Sequence, residues 1–215
     1  MVGQGVLREC ILDPEVTAML SVVRRASGPG LGRRSEKVRE LVADNFHDFS
    51  KIEGQFAGYD ACFFCLGVSS FRMKEAEYRR VTYDITMSAV RAVERENSAG
   101  GMTFIYVSGA GTDSSEHGRV MWARVKGETE NALLAMPFKS AYMFRPGAIV
   151  PLHGITSKTT LYRVMYTGLK PFLPVLLRRF LKYVTTTEQV GRAMLGVAKN
   201  GYSKRVLEAV DIASV

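Results

Sequence analysis

Short, uninterrupted apolar runs recur along the chain, separated by amphipathic stretches of helical period. Val16–Val23, Ala61–Leu66, Met102–Val107 and Ala141–Phe144 are brief and apolar on both alternating faces. Such runs predict strands buried on both sides of a sheet. Lys37–Val42 reads as a further strand, and Arg205–Val210 as a last one at the sheet edge. Between them, Gly3–Leu12 places Val6, Leu7, Cys10 and Ile11 on one helical stripe, stopped by Asp13-Pro14. Met73–Glu96 is the longest helical pattern, with Tyr78, Val81, Ile85, Ala89, Ala92 and Val93 on one face. Val120–Leu134 and Thr187–Lys199 read as helices, the latter with Thr187 as N-cap, and Phe49–Phe56 as a brief helix. Strands alternating with helices predict an α/β fold, a doubly wound parallel sheet with helices on both faces.

The rhythm changes after Gly147. Leu161–Tyr183 is apolar and basic and is broken by Pro171 and Pro174, which predicts two short helices. The favoured reading makes residues 151–185 a small helical C-terminal cap over the sheet edge, lining a substrate pocket. The other reading is a basic amphipathic segment in peripheral contact with a membrane surface.

At 215 residues and 47% hydrophobic composition the chain predicts a single domain over 1–215. The formal charge of +8 raises nucleic acid as a partner. Its basic residues are scattered pairs, however, such as Arg24-Arg25, Arg33-Arg34, Arg79-Arg80 and Arg178-Arg179. None lies in a recognisable nucleic-acid-binding pattern, so the expectation is no nucleic acid. Cys62 and Cys65 form C-x-x-C inside an apolar strand without a second Cys or His pair. They read as reduced core thiols rather than a metal or redox site, which suits a cytoplasmic protein. No apolar run approaches the roughly 18 residues that span a bilayer, so no transmembrane segment is expected.

The candidate chemistry centres on Tyr106–Glu130, where a strand ends in a small polar loop and enters a helix. Ser108 at the strand tip and Lys126 on the helix can converge above the C-terminal sheet edge, where open α/β sheets bind ligands. Gly3-Gln4-Gly5 at a helix start offers backbone amides to a pyrophosphate, with fraying as the plain alternative. Arg24-Arg25 follows about 20 residues later, where a dinucleotide-binding unit reads the ribose. A guanidinium pair there suits a 2′-phosphate and favours NADP over NAD; the alternative is a solvated loop pair.

Taken in order, Val2-Gly3-Gln4-Gly5, Tyr59–Gly67, Tyr106–Gly111, Val125-Lys126-Gly127-Glu128-Thr129-Glu130 and Arg145-Pro146-Gly147 resemble an atypical short-chain dehydrogenase/reductase. The likeness is to the small, epimerase-like NAD(P)-binding Rossmann proteins, and it covers essentially the whole chain. It implies a reductase or epimerase acting on a small carbonyl or sugar-like substrate. Ser108 would polarise the oxygen and Lys126 would place the nicotinamide ribose. Gly3, Gly5, Arg24 and Arg25 would meet the phosphates and ribose, and Asn45 and Phe46 the adenine. Gly67 and Ser69 would lie beneath the nicotinamide, with Pro146 and Gly147 closing over it.

Two departures qualify that picture. The family begins with a strand and a G-x-x-G-x-x-G turn, of which only the last glycine, Gly3, is present. The implied consequences are a gap between neighbouring strands and weak dinucleotide binding. The family's Y-x-x-x-K pair stacks tyrosine and lysine on one helix face, where the ammonium lowers the phenol pKa. Here it reads Trp122-Ala123-Arg124-Val125-Lys126, and an indole has no proton to exchange near neutral pH. Tyr83 and Tyr106 lack the spacing, and His117 is the best replacement acid by type, although an exposed loop histidine is the plainer reading. His153 reads as a loop residue or a substrate contact. A catalytically degenerate nucleotide-binding regulatory or scaffold protein is therefore the alternative function.

Overall fold

The computed structural model describes residues 1–26, 35–97, 101–155 and 184–215. Helix α1 (Val2–Leu12) leads into β1 (Met19–Val23), which pairs in parallel with β2 (Val38–Val42). A 3-10 turn at Glu53–Phe56 precedes β3 (Ala61–Phe64). Next come α2 (Glu75–Arg79), a π-helical turn at Arg80–Asp84 and α3 (Ile85–Glu96). The order continues with β4 (Thr103–Val107), α4 (Met121–Leu134), β5 (Ser140–Arg145) and β6 (Ala148–Val150). Strand β7 (Val184–Thr186), α5 (Thr187–Asn200), β8 (Val206–Glu208) and α6 (Ala209–Ile212) complete the described elements.

Strands β3-β4-β5-β8 form a parallel sheet, and its centre is the apolar part of the sequence pattern. Alternation along β4 sends Ile105 to one face and Phe104 and Tyr106 to the other. Ile105 packs with Phe144, Leu207, Val6 of α1 and Val190 and Met194 of α5. Phe104 and Tyr106 pack with Val90 of α3, Leu133 of α4 and Met143. Helices therefore cover both faces, which is the Rossmann-like arrangement expected. Gly5 and Gly191 permit the close crossing of α1 and α5. A Cβ at Gly5 would lie 2.5 Å from the Thr187 carbonyl oxygen, and one at Gly191 3.0 Å from the Gly5 oxygen.

The described strands fall into three sheets, β1-β2, β3-β4-β5-β8 and β6-β7. Among the described strands β1 pairs only with β2, and β3 pairs only with β4. Yet Met19 packs in one apolar cluster with Phe63 and Cys65, and Leu20 and Val22 pack in another with Cys62 and Phe64. Strands β1 and β3 thus flank a common space without hydrogen bonding across it.

Several details differ from the sequence reading. Phe49–Phe56 contains only a 3-10 turn, because Phe49 and Phe56 are held as ring anchors in one cluster rather than on a helical stripe. The N-cap of α5 is Thr186, not Thr187: its hydroxyl accepts from Gln189 N while Gln189 Oε1 accepts from Thr186 N. A small parallel pair, β6 and β7, was not expected. The helices expected in Leu161–Tyr183 lie outside the described residues. No helix among the described residues is long and apolar enough to cross a membrane.

Candidate functional site

The C-terminal edge of the sheet brings Ser108, Trp122 and Lys126 together. Beyond β4 the chain continues alongside β5, with Ser108 N donating to Phe144 O at 2.9 Å and Ala110 N to Pro146 O at 3.0 Å. Pro146 and Gly147 therefore stand beside the Ser108–Gly111 loop. The loop then folds against α4, where Asp113 N donates to Ala123 O. Gly127 makes that contact sterically feasible, since a Cβ there would sit 1.7 Å from the Asp113 carbonyl oxygen. Asp113 fixes the loop by accepting from Ser115 N, the Ser115 hydroxyl and Gly118 N. The Ser115 hydroxyl is the main reason its carboxyl is held below the usual range.

Trp122, Lys126 and Glu130 recur every four residues and so share one face of α4. The Trp122 ring lies against Gly111, 3.6 Å from where a Cβ would stand, and Lys126 Nζ lies 3.8 Å from the same point on Gly109. Gly111 has a φ of 85° and Gly109 of 155°, conformations that a side chain would strain. The ammonium of Lys126 donates to the Ser108 carbonyl oxygen. Burial lowers its pKa from 10.5 to about 8, against an opposing pull from Glu130.

Glu130 is the residue that sequence reasoning missed. It is 1% exposed and accepts from the Ser108 hydroxyl at 2.5 Å and from Arg145 Nε at 3.0 Å. Arg145 also donates to Glu208 at 3.2 Å and to the Ser114 hydroxyl at 2.5 Å. The buried carboxylate is thereby paired and hydrogen-bonded, the condition under which a protein interior tolerates a charge. The Ser108 hydroxyl thus has two protein acceptors within reach, Glu130 Oε1 at 2.5 Å and Phe144 O at 3.2 Å, which compete with a substrate oxygen for its proton. A signal did exist in the sequence, an acid four residues after Lys126 on a helix whose neighbouring positions Val125, Thr129 and Leu133 are inward-facing.

The other candidates for proton transfer stand elsewhere. Tyr106 is 1% exposed in the core, and its phenol pKa is driven upward by burial. Tyr83 lies under the Arg79 guanidinium, 4.3 Å from ring centroid to Cζ. His117 is exposed in the loop. His153 contacts Glu188 at 2.5 Å, on the side of the molecule where β6 meets α5.

Along the same sheet edge, Arg24 after β1 lies 5.3 Å over the Phe46 ring after β2, and Arg25 beside it is exposed. Asn45 is exposed, with its Oδ1 accepting from His47 N. The exposed Gly67 and Ser69 follow β3, and Ser69 Oγ accepts from Phe71 N at 3.2 Å. Exposed Gly3 in the first turn of α1 reaches the end of β3, 3.4 Å from Cys65 Cβ to where its own Cβ would be. Gly5, two residues along and on the opposite side of the helix, is buried against Thr187. A cleft of about 440 Å³ lined by residues including His47, Asp48, Phe49, Tyr83 and Arg91 opens next to Phe46 and contains none of Ser108, Trp122 or Lys126. This edge thus carries an open helix start, two glycines at positive φ beside Lys126 and Trp122, and the Arg24 guanidinium stacked on the Phe46 ring.

No protein-family model matches the chain. It is 24% identical over 152 residues to the mitochondrial protein FMP52 of Candida albicans, covering 70% of this chain and 63% of that one. It is 30% identical over 121 residues to the mitochondrial protein FMP52-2 of Scheffersomyces stipitis, covering 54% and 50%. The chain thus spans between half and two thirds of the length of these curated relatives. Among solved structures it is similar to a putative NAD-dependent epimerase/dehydratase from Bacillus halodurans, with a TM-score of 0.65 at 16% identity, covering 100% of this chain and 94% of that one. The resemblance read from the sequence is borne out at the level of architecture: the chain has the Rossmann-like fold of the short-chain dehydrogenases/reductases and NAD-dependent epimerases.

Proposed function

We propose that the chain binds a nicotinamide dinucleotide, NADP in preference to NAD, and that its site holds the nucleotide without an effective proton carrier. The observation that carries this reading is the alignment of Trp122, Lys126 and Glu130 on α4, with the Ser108 hydroxyl donating a hydrogen bond to Glu130. Lys126 would hold the nicotinamide ribose, Gly109 and Gly111 would let the ring approach, and Arg24 and Arg25 would take the 2′-phosphate. The bound dinucleotide supplies hydride transfer. This chain's residues then have to supply a proton at the substrate oxygen, and Trp122 has none to give. A regulatory or scaffold role gated by the nucleotide follows.

A second reading is a slow reductase or epimerase for a small carbonyl or sugar-like substrate. It is favoured by the proximity of Ser108 and Lys126 through the Ser108 carbonyl. Equilibrium dialysis against NADPH and NADH tests binding, and a carbonyl panel run on the wild type and Trp122→Tyr tests turnover. Binding with turnover only in Trp122→Tyr supports the first reading; wild-type turnover that Trp122→Tyr does not raise supports the second. A cytoplasmic location belongs to the same proposal. Recovery of the native protein with mitochondria, the compartment in the relatives' names, would overturn it.

A further inference from the structure

We propose that the cleft between α3 and the loop after β2 is a binding site for a small phosphorylated polyol or sugar, separate from the nucleotide edge. The inference is independent of the nucleotide reading, since none of Arg24, Arg25, Asn45, Ser108 or Lys126 lines the cleft.

One helix face and one docked loop build the cleft. Tyr83, Met87 and Arg91 recur every four residues, and Ser88 and Arg95 face the same space. The π-helical turn Arg80–Asp84 ends there and contributes Tyr83 and Asp84; turns of this kind inside α-helices are frequent at functional sites. Across from the helix, the loop is held by the Ser88 hydroxyl, which donates to His47 O at 2.9 Å. Phe49 and Met87, both buried, supply the apolar part of the lining. The volume of about 440 Å³ is that of a small-molecule site.

The polar groups define the ligand. Arg91 is exposed and, among the described residues, has no hydrogen bond or ion pair. Arg95, one turn further, is already given to Glu53. An unpaired guanidinium with a second cation beside it complements a phosphate, which accepts two parallel N–H bonds from arginine. The other side of the cleft has the opposite chemistry. Asp84 accepts from Arg79 at 3.1 Å and Asp48 from Ser50 N at 2.9 Å. Each ionised carboxylate keeps further lone pairs, so the two repel another anion and accept from hydroxyl groups. From Asp84 to Arg91 the helix rises about 10 Å at 1.5 Å per residue. An extended hexitol phosphate has that length, with its phosphate for Arg91 and its hydroxyls for Asp84 and Asp48. A metal ion does not suit the cleft, because no three His, Cys, Asp or Glu groups come together to hold one among the described residues.

The test is calorimetric titration of the full chain with sorbitol 6-phosphate, inorganic phosphate and sorbitol, repeated in the presence of NADPH. We expect saturable binding of sorbitol 6-phosphate, binding of inorganic phosphate weaker by roughly tenfold or more, and none of sorbitol. Arg91→Met removes a side chain without partners, so it should leave the melting midpoint unchanged and weaken the ester about tenfold or more. Asp84→Ala should weaken the ester roughly threefold or more and leave inorganic phosphate unaffected. Absence of ester binding, ester binding that Arg91→Met does not weaken, or inorganic phosphate bound as tightly as the ester overturns the proposal. Displacement of the ester by NADPH also overturns it, by assigning the cleft to the dinucleotide. If NADPH does not bind while the ester binds through Arg91, the nucleotide reading fails and this one stands.

Discussion

The lowered pKa of Lys126 makes a stability prediction whose sign is fixed by its cause. Burial disfavours the ammonium in the folded state and lowers its pKa from 10.5 to about 8, while the unfolded lysine keeps the higher value. Below about pH 8 both states carry the proton, and the fold bears the full desolvation cost. Between about pH 8 and 10.5 the unfolded state binds more protons, so stability rises with pH through this window. The difference converts to roughly 3 kcal/mol at 1.36 kcal/mol per decade. Three thiols act in the opposite direction. Cys10 is raised to about 11, and Cys62 and Cys65 to about 12, so the unfolded chain releases protons above about pH 9 that the folded chain retains. A single pH profile would mix these effects, and the difference between wild type and Lys126→Met isolates the lysine. Urea unfolding of both proteins at pH 7 and pH 10.5 should show the wild type gaining on the variant by roughly 3 kcal/mol. Parallel profiles would refute the assignment of a desolvated ammonium at this position.

Other perturbations report on the frame around that lysine. Glu130→Ala removes a carboxylate that is 1% exposed and leaves Arg145 without its buried partner, a change that costs about 3–5 kcal/mol and lowers the melting midpoint by roughly 10 °C. In the double variant Glu130→Ala/Arg145→Met, calorimetry should recover more than half of that loss. Gly127→Ala should destabilise the protein although alanine gains about 1 kcal/mol in helix propensity, because its Cβ would meet the Asp113 backbone at 1.7 Å; a neutral or higher melting midpoint would contradict the packing of loop and helix. Arg24→Ala/Arg25→Ala should narrow the preference for NADPH over NADH by roughly tenfold or more, read as a ratio of Kd values, if the pair holds the 2′-phosphate.

Much of the sheet was legible because burial on both faces leaves a direct mark in the sequence. Phe104, Ile105 and Tyr106 are apolar whichever way they point, and so are Ala141, Tyr142 and Met143. The 4-residue periodicity of α4 was equally plain. What escaped detection depended on contacts between distant segments. Strands β6 and β7 are three residues each, and Val184–Thr186 gives no periodic signal of its own before α5 begins. In the Thr185–Thr187 run, composition alone cannot decide which hydroxyl faces Gln189 N, and the N-cap is Thr186. The site divided in the same way. Ser108 and Lys126 could be placed from strand-loop-helix order, but the destination of the serine proton could not, because Glu130 and Arg145 meet only in the fold.

The most direct test of the account is the emission of Trp122, the one tryptophan in the chain, during titration with NADPH and NADH. Its ring lies against Gly111 at the rim where the nicotinamide is proposed to sit. The account predicts saturable quenching with energy transfer to the reduced nicotinamide, tighter for NADPH than for NADH, and weakening as pH rises past about 8 and Lys126 loses its charge. Unchanged Trp122 emission with both nucleotides, at concentrations reaching the millimolar range, would contradict it.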